Sequence, residues 1–198
     1  MIKNIIFDLG NVLVSFHPEK FVRENIDEQY RDDFYRVVFG GQAWADLDRG
    51  VLEYSDAVKM FSEELPQCAD AIKKLFDTNV IDCLAPISEN VEIMKSLKGK
   101  YNLYVLSNFH YPAFNYIYDN WEFFKTFDGK IVSGHCKLLK PEKEIYELLL
   151  KTYSLKPEEC LFIDDVKANI EGAQACGINA VQLTSPKLLK EKLEEFLK

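Results

Sequence analysis

An alternation limits what this chain can fold into more than any other feature. From residue 85 onward, short apolar runs take turns with amphipathic runs of helical period. "YNLYVLSN", "GKIVSG", "ECLFIDD" and "INAVQL" read as strands, and a further strand runs from about Lys3 to Asp8. "ISENVEIMKSLK", "HYPAFNYIYDN", "KPEKEIYELLLKTYS", "KANIEGAQACG" and "PKLLKEKLEEFLK" read as helices. Ser88 stands near the start of the first helix and Gly99 just past its end, Pro141 suits a first turn, and Gly177 closes the helix before it. Gly172 would let its helix pack closely against the sheet. Strands and helices in this order close as right-handed crossovers. They build a mostly parallel sheet with helices on both faces, and ligands of such sheets bind at the carboxyl ends of the strands.

The stretch from His17 to Cys83 has another texture. "EKFVRENI", "EQYRDDFYRVVF" and "EYSDAVKMFSEEL" carry helical apolar spacing, with Ser55 placed to cap part of the last, and no strand stands out. The fold expected is therefore α/β: a doubly wound, Rossmann-like core from residues 1–15 and 86–198, with an α-helical cap inserted as residues 16–85. The insert leaves from the carboxyl end of the first strand and is placed to cover a site there.

Composition narrows the partners. Of 198 residues, 47% are hydrophobic and 28% charged, which suits a soluble globular protein. The net charge of −8 argues against nucleic acid, which needs clustered Lys and Arg. No apolar run approaches the roughly 20 residues of a membrane span. The five cysteines form no CxxC pair and read as reduced thiols. With a strand starting directly at the N-terminus and no leader pattern, the expectation is a cytoplasmic protein that takes a small molecule.

Three strands end on polar groups: Asp8, Ser107 with Asn108, and Asp164 with Asp165. In a parallel sheet they converge on one edge. Adjacent carboxylates near a core are costly. Mg²⁺ removes that cost and favours a few carboxylates plus phosphate oxygens. Asp8 could complete the metal shell and attack phosphorus, Lys140 could neutralise it, and Ser107 could hydrogen-bond the phosphate. Each residue also has a plainer use. Asp8 could form a turn, Asp165 could cap the next helix, Lys140 could be solvated, Ser107 and Asn108 could be turn residues, and Arg49 a helix-end charge.

The segments "IFDLGNVL", "VLSN", "LLKPEKEIY" and "FIDDVKANIEGAQACGI" occur in order, and by them the chain resembles the haloacid dehalogenase superfamily with a helical cap. "FDLGNVLV", "WADLDRGVLEYSDA", "VLSN" and "DDVKANIEGAQACGI" are closest to its sugar phosphatases of the α-D-glucose-1-phosphate phosphatase type. The resemblance implies a Mg²⁺-dependent phosphatase acting through an aspartyl-phosphate on Asp8, with Lys140 as catalytic lysine. Ser107, Asn108 and Gly10 would bind substrate, and Asp8, Gly10, Asp164 and Asp165 the metal. Gly10 departs from the pattern, since most phosphatases of the superfamily carry a general acid/base Asp there. Such a group contributes about 10²–10⁴ in rate. His17 or His110 could substitute, a sugar 1-phosphate could supply a good leaving group, or turnover could be weak. The alternatives are a 2-haloacid dehalogenase, which lacks the paired acids, and a phosphate-binding module.

Overall fold

The structure, a computed structural model, describes residues 1–197. In chain order the strands are β1 (Asn4–Phe7), β2 (Val14–Phe16), β3 (Leu84–Pro86), β4 (Asn102–Ser107), β5 (Gly129–Val132), β6 (Cys160–Asp164) and β7 (Asn179–Gln182). β1, β4, β5, β6 and β7 form one parallel sheet in the order β5-β4-β1-β6-β7. The chain therefore winds outward twice from β1, once through β4 and once through β6. β1 is the switch point where such sheets open a crevice.

The helices that bear on the site are α1 (Gln42–Arg49), α2 (Tyr54–Glu64), α3 (Ser88–Ser96), α4 (Tyr111–Asn120), α5 (Ser133–Cys136), α6 (Lys143–Thr152), α7 (Lys167–Ala175) and α8 (Leu189–Phe196). Alternation along the strands splits the core in two. Ile5, Phe7, Leu103, Val105, Leu161 and Ile163 pack on one face with α3, α4 and α8. Ile6, Tyr104, Leu106 and Phe162 pack on the other with α6 and α7. Both faces of β1 are apolar, so it reads as one continuous run rather than an alternating one.

The helical stretch has an apolar core of its own, which includes Phe21, Phe34, Leu47, Phe61, Ile72 and Leu75. It is tied in by a ribbon that sequence pattern does not show. β2 pairs antiparallel with β3, Val14 against Pro86 and Phe16 against Leu84. Three residues are too few for a period of two to register, so this pairing is a product of tertiary contact.

Local chemistry departs from expectation in three places. Ser55 lies inside α2, which starts at Tyr54 with Glu53 before it. Pro141 precedes α6 instead of sitting in its first turn. Its peptide bond to Lys140 is cis, and Glu142 stands at the helix boundary. Gly172 does make a close approach, but to Pro141 and Tyr146 and not to the sheet: a Cβ there would stand 2.9 Å from the Pro141 carbonyl.

α1 ends at Gly50, which has φ 74°. A Cβ on Gly50 would fall 2.2 Å from the Gly134 carbonyl oxygen in α5, so the insert touches the core there backbone to backbone. Gly99 has φ 86° with nothing within 4 Å of a Cβ. Gly50→Ala should therefore cost about 2–5 kcal/mol in urea unfolding, backbone strain plus overpacking. Gly99→Ala should cost only the strain, about 1–2 kcal/mol. Equal losses would mean that the insert does not bear on α5.

Candidate functional site

The register of the sheet puts the polar strand ends side by side. Phe7 lies opposite Val105 and Ile163, and the Asp8 amide donates to the Ile163 carbonyl at 2.9 Å. Asp8 thus emerges between β4 and β6. Its Oδ1 accepts from the Ser107 hydroxyl at 2.7 Å and lies 2.9 Å from Lys140 Nζ. The same ammonium contacts Asp164 Oδ2 at 2.6 Å and donates to the Leu106 carbonyl at 3.0 Å. Lys140 is 4% exposed and Asp164 fully buried.

The loop carrying Lys140 is clamped through Asn108. Its Nδ2 donates to the Lys140 carbonyl at 3.0 Å, and the Lys140 amide donates back to Asn108 Oδ1 at 2.9 Å. Asp164 Oδ1 accepts from the Val166 amide at 2.8 Å and from Asn169 Nδ2 at 3.0 Å. The acid that serves the backbone at the start of α7 is therefore Asp164 and not the expected Asp165. Asp165 Oδ2 instead accepts from Asn11 Nδ2 at 2.9 Å. That bond spans from the β6 end to the loop after β1.

Charge is unbalanced here. Asp8, Asp164 and Asp165 each offer an oxygen within 4.8 Å of the others. Lys140 is the cation among them. Burial pushes the Asp8 carboxyl up to about 6, against the pull of Lys140 and with Asp164 adding to the rise. Burial lowers Lys140, but Asp8 and Asp164 outweigh it and hold the ammonium above its usual value. A set of hard oxygen donors with excess negative charge suits a divalent ion such as Mg²⁺.

A cavity of about 200 Å³ lies alongside, lined by Gly10, Asn108 and His110 with the aromatic rings of Phe16, Trp44 and Phe109. Asp48, near the end of α1, also lines it. Burial and the nearby Asp8 push the Asp48 carboxyl up to about 7, with Lys140 opposing. His110 is 3% exposed and sits under Trp44, ring centroids 4.3 Å apart. Burial lowers it to about 3, so the ring is neutral. Its Nδ1 is 3.3 Å from the Tyr54 hydroxyl. Its Nε2 is 3.3 Å from Asp48 Oδ1 but is not aligned as a hydrogen bond, and among the described residues it makes no other aligned one.

The structure thus gathers Asp8, Ser107, Lys140, Asp164 and Asp165 at one point, with Asn108 bracing the lysine loop and Gly10 and His110 in the adjoining cavity. His17 is elsewhere: it is exposed, lies 3.8 Å from Glu19, and lines a separate cavity with Lys20, Glu24 and Lys74. Arg49 pairs with Glu142 through both terminal nitrogens. Asp48 lies in the insert, where no motif of the sequence gives it a task. The only signal was its position beside Arg49 and Gly50 in "DLDRG".

The family profile described as haloacid dehalogenase-like hydrolase matches residues 2–177. Among curated proteins, the sesquiterpene phosphatase astK of Aspergillus oryzae is 27% identical over 92% of this chain and 90% of its own length. The D-ribitol-5-phosphate phosphatase of Bacteroides thetaiotaomicron is 25% identical over 92% of each. The HAD family enzyme bt-2542 of Bacteroides thetaiotaomicron, solved with magnesium and inorganic phosphate, superposes with a TM-score of 0.73 at 22% identity. That superposition covers 92% of this chain and 94% of the other.

Asp48 should make stability depend on pH. An unfolded Asp titrates near ~3.9, and the folded one near 7. Between these values the native state keeps a proton that the unfolded state releases, so stability falls as pH rises and the full cost persists above 7. Asp48→Asn should therefore gain nothing over wild type at pH 4 and about 2–4 kcal/mol at pH 8. Metal-free urea unfolding at both pH values checks this. A gain independent of pH would mean that Asp48 titrates as an ordinary surface carboxylate.

Proposed function

The chain belongs to the haloacid dehalogenase-like hydrolases, and from that premise we propose that it is a magnesium-dependent phosphatase of a small phosphomonoester, with Asp8 as nucleophile. The observation that carries the reading is the arrangement around Asp8. Ser107 and Lys140 both hold Oδ1, while Asp164 and Asp165 bring two more carboxylates within reach of a shared ion.

Asp8, Asp164 and Asp165, with the carbonyl of Gly10, would hold Mg²⁺, which supplies positive charge to the phosphate oxygens when bound. The chain does the rest. Asp8 is kept in one rotamer by Ser107 and Lys140, so the attacking oxygen is oriented before substrate arrives. Attack forms the Asp8–phosphorus bond and breaks the ester bond to the leaving alcohol. Lys140 stays within reach of both Asp8 and the transferred group, and the Ser107 hydroxyl can turn to a phosphate oxygen. Water then attacks phosphorus and frees Asp8. The rings of Phe16, Trp44 and Phe109 line the adjoining cavity.

The finer reading of the substrate is a sugar or polyol phosphate. Asp48, Asn108 and His110 offer polar contacts to hydroxyls in a cavity sized for a small metabolite, and one relative acts on D-ribitol 5-phosphate. With no acid at Gly10, a sugar 1-phosphate would ease departure of the alcohol. A second reading, the phosphate of an apolar alcohol, is favoured by the aromatic wall and by the sesquiterpene phosphatase relative. The paired acids speak against a metal-free haloacid dehalogenase.

Phosphate release should be assayed on sugar 1-phosphates, the matching 6-phosphates, ribitol 5-phosphate and a prenyl monophosphate, beside 2-chloropropionate. Release should require Mg²⁺, stop with EDTA, and fall by at least about 10³-fold in Asp8→Asn. Chloride release from 2-chloropropionate in EDTA, with no phosphate release from any ester, would overturn the reading.

A further inference from the structure

Gly10 leaves the loop after β1 without a proton donor, and space is not the reason. Its φ is not in the left-handed region, and a Cβ there would meet nothing nearer than Asp8 Oδ2 at 3.8 Å. A side chain could therefore begin at position 10 without a clash or backbone strain. The chain has done without an acid there, and another carboxylate lines the same cavity.

That carboxylate is Asp48. Its backbone is held on the core from three directions. The Ser133 hydroxyl donates to the Asp48 carbonyl. Arg49 reaches across to Glu142 and donates to the Lys137 carbonyl at 3.3 Å. Gly50 rests on Gly134. The Asp48 side chain takes no part in this latch. Among the described residues it forms no ion pair, and the ring beside it, His110, is neutral. A carboxylate kept for anchoring would sit on a cation, as Glu142 does on Arg49. This one is fixed in place, half-buried, and directed into the cavity that Gly10 lines.

We propose that Asp48 is the general acid/base of the phosphatase reaction, supplied by the helical insert in place of the group absent at Gly10. This rests on the phosphatase reading above. In the first half-reaction the Asp8–phosphorus bond forms, the phosphorus–oxygen ester bond breaks, and the Asp48 proton passes to the departing oxygen to give the alcohol. In the second, Asp48 carboxylate takes a proton from water as the water oxygen bonds phosphorus. The Asp8–phosphorus bond breaks, inorganic phosphate leaves, and both side chains return to their starting states.

The surroundings favour this role. The groups facing Asp48 are Asp8 from the end of β1, Lys140 from the loop before α6, the neutral His110, and the Tyr54 hydroxyl beyond it. Arg49, its neighbour in the chain, is turned to Glu142. Burial and Asp8 together outweigh Lys140 and hold the carboxyl near 7, where it can both give and take a proton.

The test is the dependence on leaving group. Wild type, Asp8→Asn, Asp48→Asn and Asp48→Ser are compared with Mg²⁺ on p-nitrophenyl phosphate and on the best alkyl phosphate of the panel. An activated phenol leaves without a proton and an alkoxide does not. Asp48→Asn and Asp48→Ser should lose about 10²–10⁴ in kcat/KM on the alkyl ester and less than about tenfold on the aryl ester. The aryl ester should also show a burst of nitrophenol equal to enzyme, because the second half-reaction then lacks its base. Gly10→Asp added to Asp48→Asn should restore alkyl-ester turnover. Equal losses on both esters, or none on either, would overturn the assignment of Asp48 while leaving the phosphatase reading intact. No Asp8-dependent release by wild type would remove both.

Discussion

One ammonium group organises this molecule. Lys140 Nζ is buried among Asp8, Asp164 and the Leu106 carbonyl, contributed by the ends of β1, β6 and β4. A lysine so placed is stable only while its partners stay, because removing one leaves an uncompensated buried charge, at about 3–5 kcal/mol. The ion triad and the central strand order β4-β1-β6 therefore specify each other. The loop that brings Lys140 in is braced by the reciprocal bonds with Asn108, which itself follows β4. Four parts of the chain far apart in sequence are fastened at one point.

The same point is overcharged. One lysine faces three carboxylates, and that surplus is what distinguishes a site from a structural ion pair. A pair serving only stability would be neutral. Here the surplus gathers beside an apolar cavity, with Asp165 half-buried and tied to the loop after β1. The insert adds a fourth acid, Asp48, to the lining of that cavity. Its attachment to α5 relies on a close backbone contact at Gly50 and on the Arg49–Glu142 pair. The acid itself is left free for the cavity.

Much of this is legible in the sequence, for a physical reason. "IIFD", "VLSN" and "FIDD" end buried strands on polar groups, and a parallel sheet must bring such ends together. The misreadings share another cause. Pro141 suits a helical first turn because proline favours that position in general. Here Lys140 reaches inward, and Lys140 and Pro141 form a turn closed by the Glu142 amide donating to the Leu139 carbonyl, so the helix starts only after it. Asp165 is the nearer acid to the backbone before α7 and the one local pattern favours, whereas Asp164 points that way once the strand pleat is set. The β2–β3 ribbon and the contact of Gly172 with Pro141 depend on what the chain meets, which local pattern does not carry.

The sequence by itself determined the parallel sheet, the helical insert and the convergence of Asp8, Ser107, Asp164 and Asp165. Periodicity and the succession of strands and helices follow from local spacing, and handedness follows from chirality. Only the tertiary structure decided which insert residues face that edge. His17 stands close to Asp8 in the chain but is turned to solvent, while Asp48, forty residues on, enters the cavity with His110. That choice depends on how two separate apolar cores settle against each other at Gly50 and Gly134, a contact between backbones that leaves no side-chain signal in the sequence.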